Sequence, residues 1–133
     1  DVLRYAGAAT PSPLVYLPGQ ETPLVGSGVG FPIGMFDDSG YEVHELPFPV
    51  GASLLLYSDA VTEGRMRDGT RLGEEGLIRL VGECLRNTTR EELVRVLTTR
   101  LHGLLEQPVA DDLTIICSTR MAMLIEPGFA GAG

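Results

Sequence analysis

Apolar and polar positions change their period partway along the chain. In the first part they form short runs or alternate residue by residue, a pattern typical of β-strands separated by turns. Strands are predicted at residues 3–6, 14–17, 41–46 and 52–57. Only the turn at residues 47–51, which contains proline and glycine, separates the last two. We therefore expect those two strands to pair as in a hairpin.

From residue 74 onward the apolar positions follow the spacing of amphipathic helices. One helix is predicted at 74–85 and a second at 89–106, where Thr89 and Glu92 have the spacing of a capping box. Residues 113–118 read as a last strand. Residues 121–133 have no clear pattern and are expected to be a loose tail. The result is a sheet-rich fold that also contains a pair of helices.

The stretch at residues 54–63, LLLYSDAVTE, is the most informative part of the chain. Its apolar start is typical of a strand buried on both faces. The run stops at Ser58-Asp59, and a carboxylate at the end of a buried strand is costly unless something compensates its charge. Two interpretations of Asp59 follow: it binds a metal ion, or it caps the turn after the strand.

A second pair of carboxylates, Asp111-Asp112, precedes the last predicted strand. Two neighbouring strands of one sheet can bring these residues close to Asp59. A cluster of carboxylate oxygens suits Mg²⁺ or Mn²⁺, and the water on such an ion becomes a nucleophile near neutral pH. The alternative is a turn between helix and strand, in which one acid caps and the other is solvated.

Other polar residues are weaker candidates for chemistry. Glu63 follows Asp59 closely and either orients a water molecule or pairs with Arg65 or Arg67; the ion pair is the preferred interpretation. His44 and His102 lack a second ligand at a metal-binding spacing, so both are interpreted as structural or surface residues.

Composition narrows the function classes. The chain has 133 residues, enough for one domain, and a formal net charge of -8, which argues against binding the phosphate backbone of nucleic acids. Its apolar runs are too short for a membrane helix. Cys84 and Cys117 are isolated and are expected to be buried thiols in a reducing compartment, so a cytoplasmic protein is predicted.

Five segments together resemble a known family, the SpoIIE/RsbU-type serine phosphatases of the metal-dependent PPM (PP2C-like) superfamily. The main one is LLLYSDAVTEGR at residues 54–65, which is similar to the family motif LLLYTDGVTEAR. The others, in chain order, are YAGAATPSPL at 5–14, GFPIGMF at 30–36, LGEEGL at 72–77 and ADDLTII at 110–116. Their order and spacing match those of the family over nearly the whole chain.

The resemblance implies an α+β fold, an α-β-β-α sandwich of two antiparallel sheets flanked by helices. The predicted helix pair would form one outer layer. Residues 1–120 would be the C-terminal part of such a domain, followed by the tail at 121–133.

The resemblance also implies a metal site and a reaction. Asp59 and Asp111 would be ligands of Mn²⁺ or Mg²⁺, with two ions in a complete site. Asp112 occupies the neighbouring family position, and Ala60 stands beside Asp59 where the family usually has glycine. The implied reaction is hydrolysis of phosphoserine or phosphothreonine by metal-activated water. The implied substrate is a phosphorylated anti-sigma-factor antagonist of a bacterial regulatory pathway.

Three departures from the family pattern leave other functions open. The family's earlier metal-binding motifs have no match, so we expect that half of the domain to be absent here. Thr10 replaces the histidine of the first motif, and Ala60 would be strained if the backbone there needs a positive φ. The alternatives to an active phosphatase are an inactive PPM-like module that binds a signalling partner, and a homodimer in which a second copy completes the sheets.

Overall fold

A computed structural model of the chain describes residues 1–28, 30–37, 40–109 and 111–123. The strands are β1 (Val2–Tyr5), β2 (Leu14–Tyr16), β3 (Leu24–Val25), β4 (His44–Pro47), β5 (Ser53–Tyr57) and β6 (Ile115–Thr119). The helices are α1 (Asp59–Glu63), α2 (Gly73–Asn87) and α3 (Leu93–Leu104). This content of antiparallel strands and helices confirms the predicted α+β class.

The central layer is a four-stranded antiparallel sheet in the order β3-β2-β5-β6. Successive side chains of β5 point to opposite faces: Leu55 and Tyr57 are buried, whereas Leu56 is 39% exposed. The prediction that this strand is buried on both faces is therefore wrong for the part of the chain that the structure describes. The helices cover only one face of the sheet.

The predicted hairpin between residues 41–46 and 52–57 is also wrong. Strand β4 pairs with β1 in a separate two-stranded sheet, in a register that joins Tyr5 to His44. The connection at 48–52 takes the chain from one sheet to the other, and Phe48 N donates a hydrogen bond to Asp1 O at 2.9 Å. Pro49 has no N–H group, so this connection cannot continue a regular ladder.

Helices α2 and α3 pack together on the inward face of the four-stranded sheet and form the single outer helical layer among the described residues. Their buried leucines meet the inward side chains of β2 and β5. The largest fully buried core residues are Leu14, Tyr16, Leu55, Leu77, Leu93, Leu97 and Leu101. This matches the helix pair that the apolar spacing predicts.

The predicted capping box at the start of the second helix is wrong. The helix begins after Glu92, whose side chain makes no capping hydrogen bond, and Thr89 contributes only its backbone carbonyl to a turn. The physical reason lies in Arg90, whose guanidinium donates to the carbonyls of Tyr16 at 2.9 Å and Leu17 at 2.6 Å. These hydrogen bonds hold residues 88–92 against the end of β2 in turns rather than in a helix.

Several smaller predictions have clear outcomes. Cys84 is buried and Cys117 half-buried, and both are free thiols as predicted. Among the described residues no helix is long and apolar enough to cross a membrane. Residues 121–123 are exposed and lack regular structure, and the rest of the predicted tail lies outside the described residues.

Leu97 lies at the centre of this core and has no exposed surface. We expect Leu97→Ala to lower the free energy of unfolding by about 2–5 kcal/mol, because it removes buried apolar atoms and leaves a cavity. Urea denaturation measures the change. The matched control is Ile33→Ala at a side chain that is 83% exposed, where the effect should stay within about 0.5 kcal/mol. Equal losses in the two variants would contradict the packing described here.

Candidate active site at the end of the central strand pair

A short helix that the sequence pattern did not predict follows β5 directly. It is α1, which begins at Asp59, while Ser58 takes the N-cap position in an extended conformation. The helix was missed because five residues are too few to show a helical period. Asp59 is exposed, and within the described residues its carboxylate accepts no hydrogen bond and forms no ion pair. The turn-capping interpretation is therefore not supported for Asp59, and its carboxylate is available to a ligand.

Ser58 connects this helix start to the segment that leads into β6. Its hydroxyl donates to the backbone carbonyl of Asp112 at 3.1 Å and accepts from the amide of Thr114 at 2.9 Å. Its own amide donates to the carbonyl of Thr114 at 2.9 Å. Since β5 and β6 run antiparallel with Tyr57 opposite Ile115, the end of β5 meets the beginning of β6. The predicted approach of the two acidic segments is confirmed at this level.

The two carboxylates before β6 have different surroundings. Asp111 Oδ1 accepts a hydrogen bond from the amide of Asp112 at 2.8 Å, and both residues are exposed. One acid thus holds the local turn while the other faces solvent, as the alternative to metal binding predicts. The second carboxylate oxygen of Asp111 accepts nothing from the described residues, so this geometry also leaves a free ligand atom.

A pocket of about 290 Å³ opens beside α1. Its polar lining consists of Glu63, Arg65, Arg71, Glu106 and Asp111, and its apolar lining includes Ala60, Leu105 and Pro108. Asp59 is not among the lining residues. Among the described residues Glu63 forms no ion pair, so the predicted pairing with Arg65 or Arg67 is wrong.

Ala60 is buried, with 6% of its surface exposed, and lies inside α1. Its backbone has no positive φ, so the strain expected from replacing glycine there is absent. Its side chain carries no ligand atom, which leaves only the backbone carbonyl for any role in metal binding. The structure places Ala60 at the wall of the pocket, between Asp59 and Glu63 along the helix.

Tyr57, the last residue of β5, connects the candidate site to the helical layer. Its hydroxyl donates to Glu74 Oε2 at 3.4 Å and so links the end of β5 to the first turn of α2. Burial, followed by the charge of Glu74 and this hydrogen bond, raises the pKa of Tyr57 to about 12. The phenol is therefore neutral at physiological pH and acts as a structural link.

The oxygen atoms at this site are of the chemical type that binds a hard cation. Asp59 and Asp111 offer carboxylate oxygens, which Mg²⁺ and Mn²⁺ prefer. Within the described residues, however, no group of three His, Cys, Asp or Glu side chains is close enough to hold an ion. The two histidines lie elsewhere: His102 is exposed on α3, and His44 packs against the ring of Tyr5, as their structural interpretation predicts. The part of the chain that the structure describes thus offers exposed carboxylate oxygens at one end of the sheet but no complete group of metal ligands.

Comparison with known families decides the identity of the domain. The family model described as stage II sporulation protein E (SpoIIE) matches residues 1–121. The chain belongs to the SpoIIE family. A search of curated protein sequences gave no match.

Solved structures share the fold of this SpoIIE-family chain. The SiaA-PP2C domain of Pseudomonas aeruginosa superposes with a TM-score of 0.70 at 23% identity, covering 91% of this chain and 46% of that one. The RsbU and RsbW domains of Rv1364c from Mycobacterium tuberculosis give 0.72 at 20% identity, covering 91% and 33%. The SpoIIE phosphatase domain from Bacillus subtilis, presoaked with Mn, gives 0.66 at 13% identity, covering 92% and 52%. The chain therefore has a PP2C-like fold and spans about half or less of these structures.

The role of Ser58 can be tested with a conservative variant. Ser58→Ala removes both side-chain hydrogen bonds, so we expect a loss of about 1 kcal/mol in the free energy of unfolding and faster hydrogen exchange at the Thr114 amide. Ser58→Thr keeps the hydroxyl, and threonine is the residue in the family motif, so this control should behave like the unmodified chain. Unchanged exchange at Thr114 in the alanine variant would refute the link.

The link through Tyr57 predicts a dependence of stability on alkaline pH. The folded pKa, about 12, exceeds the ordinary value of 10.0, so folding favours the neutral phenol. The contribution of Tyr57 is then complete below pH 10 and is lost as the pH rises towards 12. Denaturant unfolding between pH 9 and 12, about the range of these two pKa values, should show a steeper loss of stability for the unmodified chain than for Tyr57→Phe. Parallel curves for the two proteins would contradict this assignment.

Proposed function

We propose that this chain is part of a metal-dependent protein serine/threonine phosphatase. Membership of the SpoIIE family and the PP2C-like fold support this function. The observation that carries it in the molecule itself is the antiparallel β5–β6 pair, which brings the helix start at Asp59 and the turn at Asp111 to one end of the sheet. The domain boundaries that go with this function are a C-terminal phosphatase portion at 1–120 and a tail at 121–133.

Asp59 and Asp111 would hold Mn²⁺ or Mg²⁺, with Asp112 beside them and Ala60, through its backbone carbonyl, as a further candidate ligand. When bound, two such ions supply Lewis acidity and an activated water for phosphoester hydrolysis. The chain's own residues then have positioning roles. Ser58 fixes the spacing of the two acidic segments, and the remaining ligands of the site would come from polypeptide outside the described residues.

The proposed substrate is phosphoserine or phosphothreonine on a bacterial regulatory protein, an anti-sigma-factor antagonist. Support comes from the similarity to SpoIIE, described as a cell fate determinant, and to a protein that joins RsbU and RsbW domains. We also propose a cytoplasmic location. The free thiols Cys84 and Cys117 are consistent with a reducing compartment.

A second candidate function is an inactive PPM-like module that binds a signalling partner. The specific observation in its favour is that the described residues contain no complete group of metal-binding side chains. A homodimer is a further proposal, because Leu56 and Ile116 are 39% and 54% exposed on the face of β5 and β6 that the helices leave uncovered. A second copy that covers this face would bury both side chains.

The deciding experiment is hydrolysis of a phosphoserine peptide with and without Mn²⁺, combined with calorimetric measurement of Mn²⁺ binding. We expect Asp59→Asn to lower both the metal affinity and the rate, the latter by about a hundredfold or more, because a ligand oxygen loses its charge. Asp37→Asn is the matched control. It removes an exposed carboxylate from the loop at 31–37, far along the chain from the site, and should change neither quantity.

The outcomes separate the proposals. Hydrolysis that Asp59→Asn abolishes supports the phosphatase and shows that this chain suffices, and sedimentation of the same sample shows whether it acts as a homodimer. Mn²⁺ binding without hydrolysis supports a phosphatase whose remaining ligands lie outside this chain. A folded chain that neither binds Mn²⁺ nor hydrolyses the peptide overturns the phosphatase proposal in favour of the binding module.

A further inference from the structure

Two arginines lie side by side in the lining of the pocket beside α1. Arg65 and Arg71 form an isolated antiparallel bridge, so their Cα atoms lie directly opposite and both side chains leave on the same face. Both are exposed, and both line the pocket that Asp111 also lines. This arrangement places two positive charges side by side at the edge of the candidate metal site.

Like charges that lie directly opposite across a strand pair are destabilising. The sequence contains ten arginines and no lysine, and many of these arginines have carboxylate partners. Five of them form ion pairs with carboxylates, namely Arg4, Arg86, Arg95, Arg100 and Arg120. In the described residues Arg65 and Arg71 form none, although Glu63 and Glu106 line the same pocket. Their opposition is therefore a cost that the folded chain does not relieve internally.

The backbone around these arginines is well fixed. Arg65 O accepts a hydrogen bond from the amide of Glu106 at 2.8 Å, and the amide of Met66 donates to Thr70 O at 2.8 Å. The turn between the two arginines is closed by Asp68, whose carboxylate accepts from the amide and the hydroxyl of Thr70 at 2.9 and 2.6 Å. The two guanidinium groups thus extend from a rigid turn, which limits the entropy lost when they bind a common ligand.

We propose that Arg65 and Arg71 form a clamp for the phosphoryl group of the substrate. The proposal rests on the proposed phosphatase function and adds the residues that bind the phosphate. Guanidinium groups match phosphate oxygens with paired, charge-assisted hydrogen bonds. A doubly charged phosphoryl group between them would also remove their mutual repulsion. Asp111 lines the same pocket, so the clamp would hold the phosphoester next to one of the proposed metal ligands.

The pocket also explains why the ligand should be a phosphate rather than an acidic side chain. Glu63, Glu106 and Asp111 line it together with the arginines, so an anion that binds must gain enough from the guanidinium groups to offset repulsion from three carboxylates. A single carboxylate has one charge and two oxygens, which one guanidinium group can engage fully on its own. A phosphoryl group carries roughly twice that charge and three acceptor oxygens, enough to engage both guanidinium groups at once.

The test is fluorescence anisotropy with a fluorescein-labelled phosphoserine peptide in the presence of EDTA. Without a divalent cation, binding is measured apart from hydrolysis, so a failure of the clamp can be told from a failure of the phosphatase. We expect Arg65→Ala and Arg71→Ala each to weaken binding about tenfold. Arg67→Ala is the matched control, because Arg67 is exposed in the intervening turn and does not line the pocket; it should leave binding unchanged.

A second measurement covers the case in which a variant binds poorly because it is damaged. Thermal unfolding should show that Arg71→Ala alone is as stable as the unmodified chain or more stable, since like-charge repulsion is removed. Inorganic phosphate should raise the Tm of the unmodified chain more than that of the variant. The proposal is overturned if Arg67→Ala weakens peptide binding as much as Arg71→Ala does. It is also overturned if the unphosphorylated peptide binds equally well, or if phosphate stabilises both proteins to the same extent.

Discussion

The pairing of β5 with β6 is the constraint on which the rest of the molecule depends. Five residues of each strand are in register, and inward-facing Leu55 and Tyr57 provide the surface on which both long helices pack. Where the ladder ends, Ser58 continues the connection with three hydrogen bonds to residues 112–114. The candidate site is therefore a direct extension of the core: the contacts that stabilise the sheet also set the distance between its acidic segments.

Features that depend on local sequence were predictable, and features that depend on competition between distant segments were not. The helix predicted at 74–85 covers nearly all of α2, because the helical spacing of its apolar residues is visible in the local sequence. Strand pairing was different: β4 lies next to β5 in sequence but pairs with β1. The apolar run of β5 does not indicate which strands it pairs with. Arg90 shows the same limit, since its hydrogen bonds to the end of β2 shorten α3 in a way that no pattern within 89–106 reveals.

The residues of the candidate site show the same difference between local and long-range features. Asp59 and Asp111 were found from sequence because carboxylates beside apolar strands are conspicuous and belong to specific motifs. Arg65 and Arg71 were not, since five intervening residues hide the fact that they lie opposite each other. A signal was nonetheless present: Asp68-Gly69 marks a tight turn, and a tight turn brings flanking residues into register. Pairing basic residues across predicted turns would have identified the clamp.

The net charge of the chain does not describe the local charge at the pocket beside α1. The chain carries a formal charge of -8, which argues against nucleic acids and on its face against any anionic ligand. Yet half of its arginines are paired with carboxylates, and the two at the pocket form no ion pair within the described residues. Repulsion from the acidic surface acts on every anion and grows with its charge. Local recognition by two opposed guanidinium groups then selects the phosphate, so an acidic protein with one arginine clamp favours specific over general binding of anions.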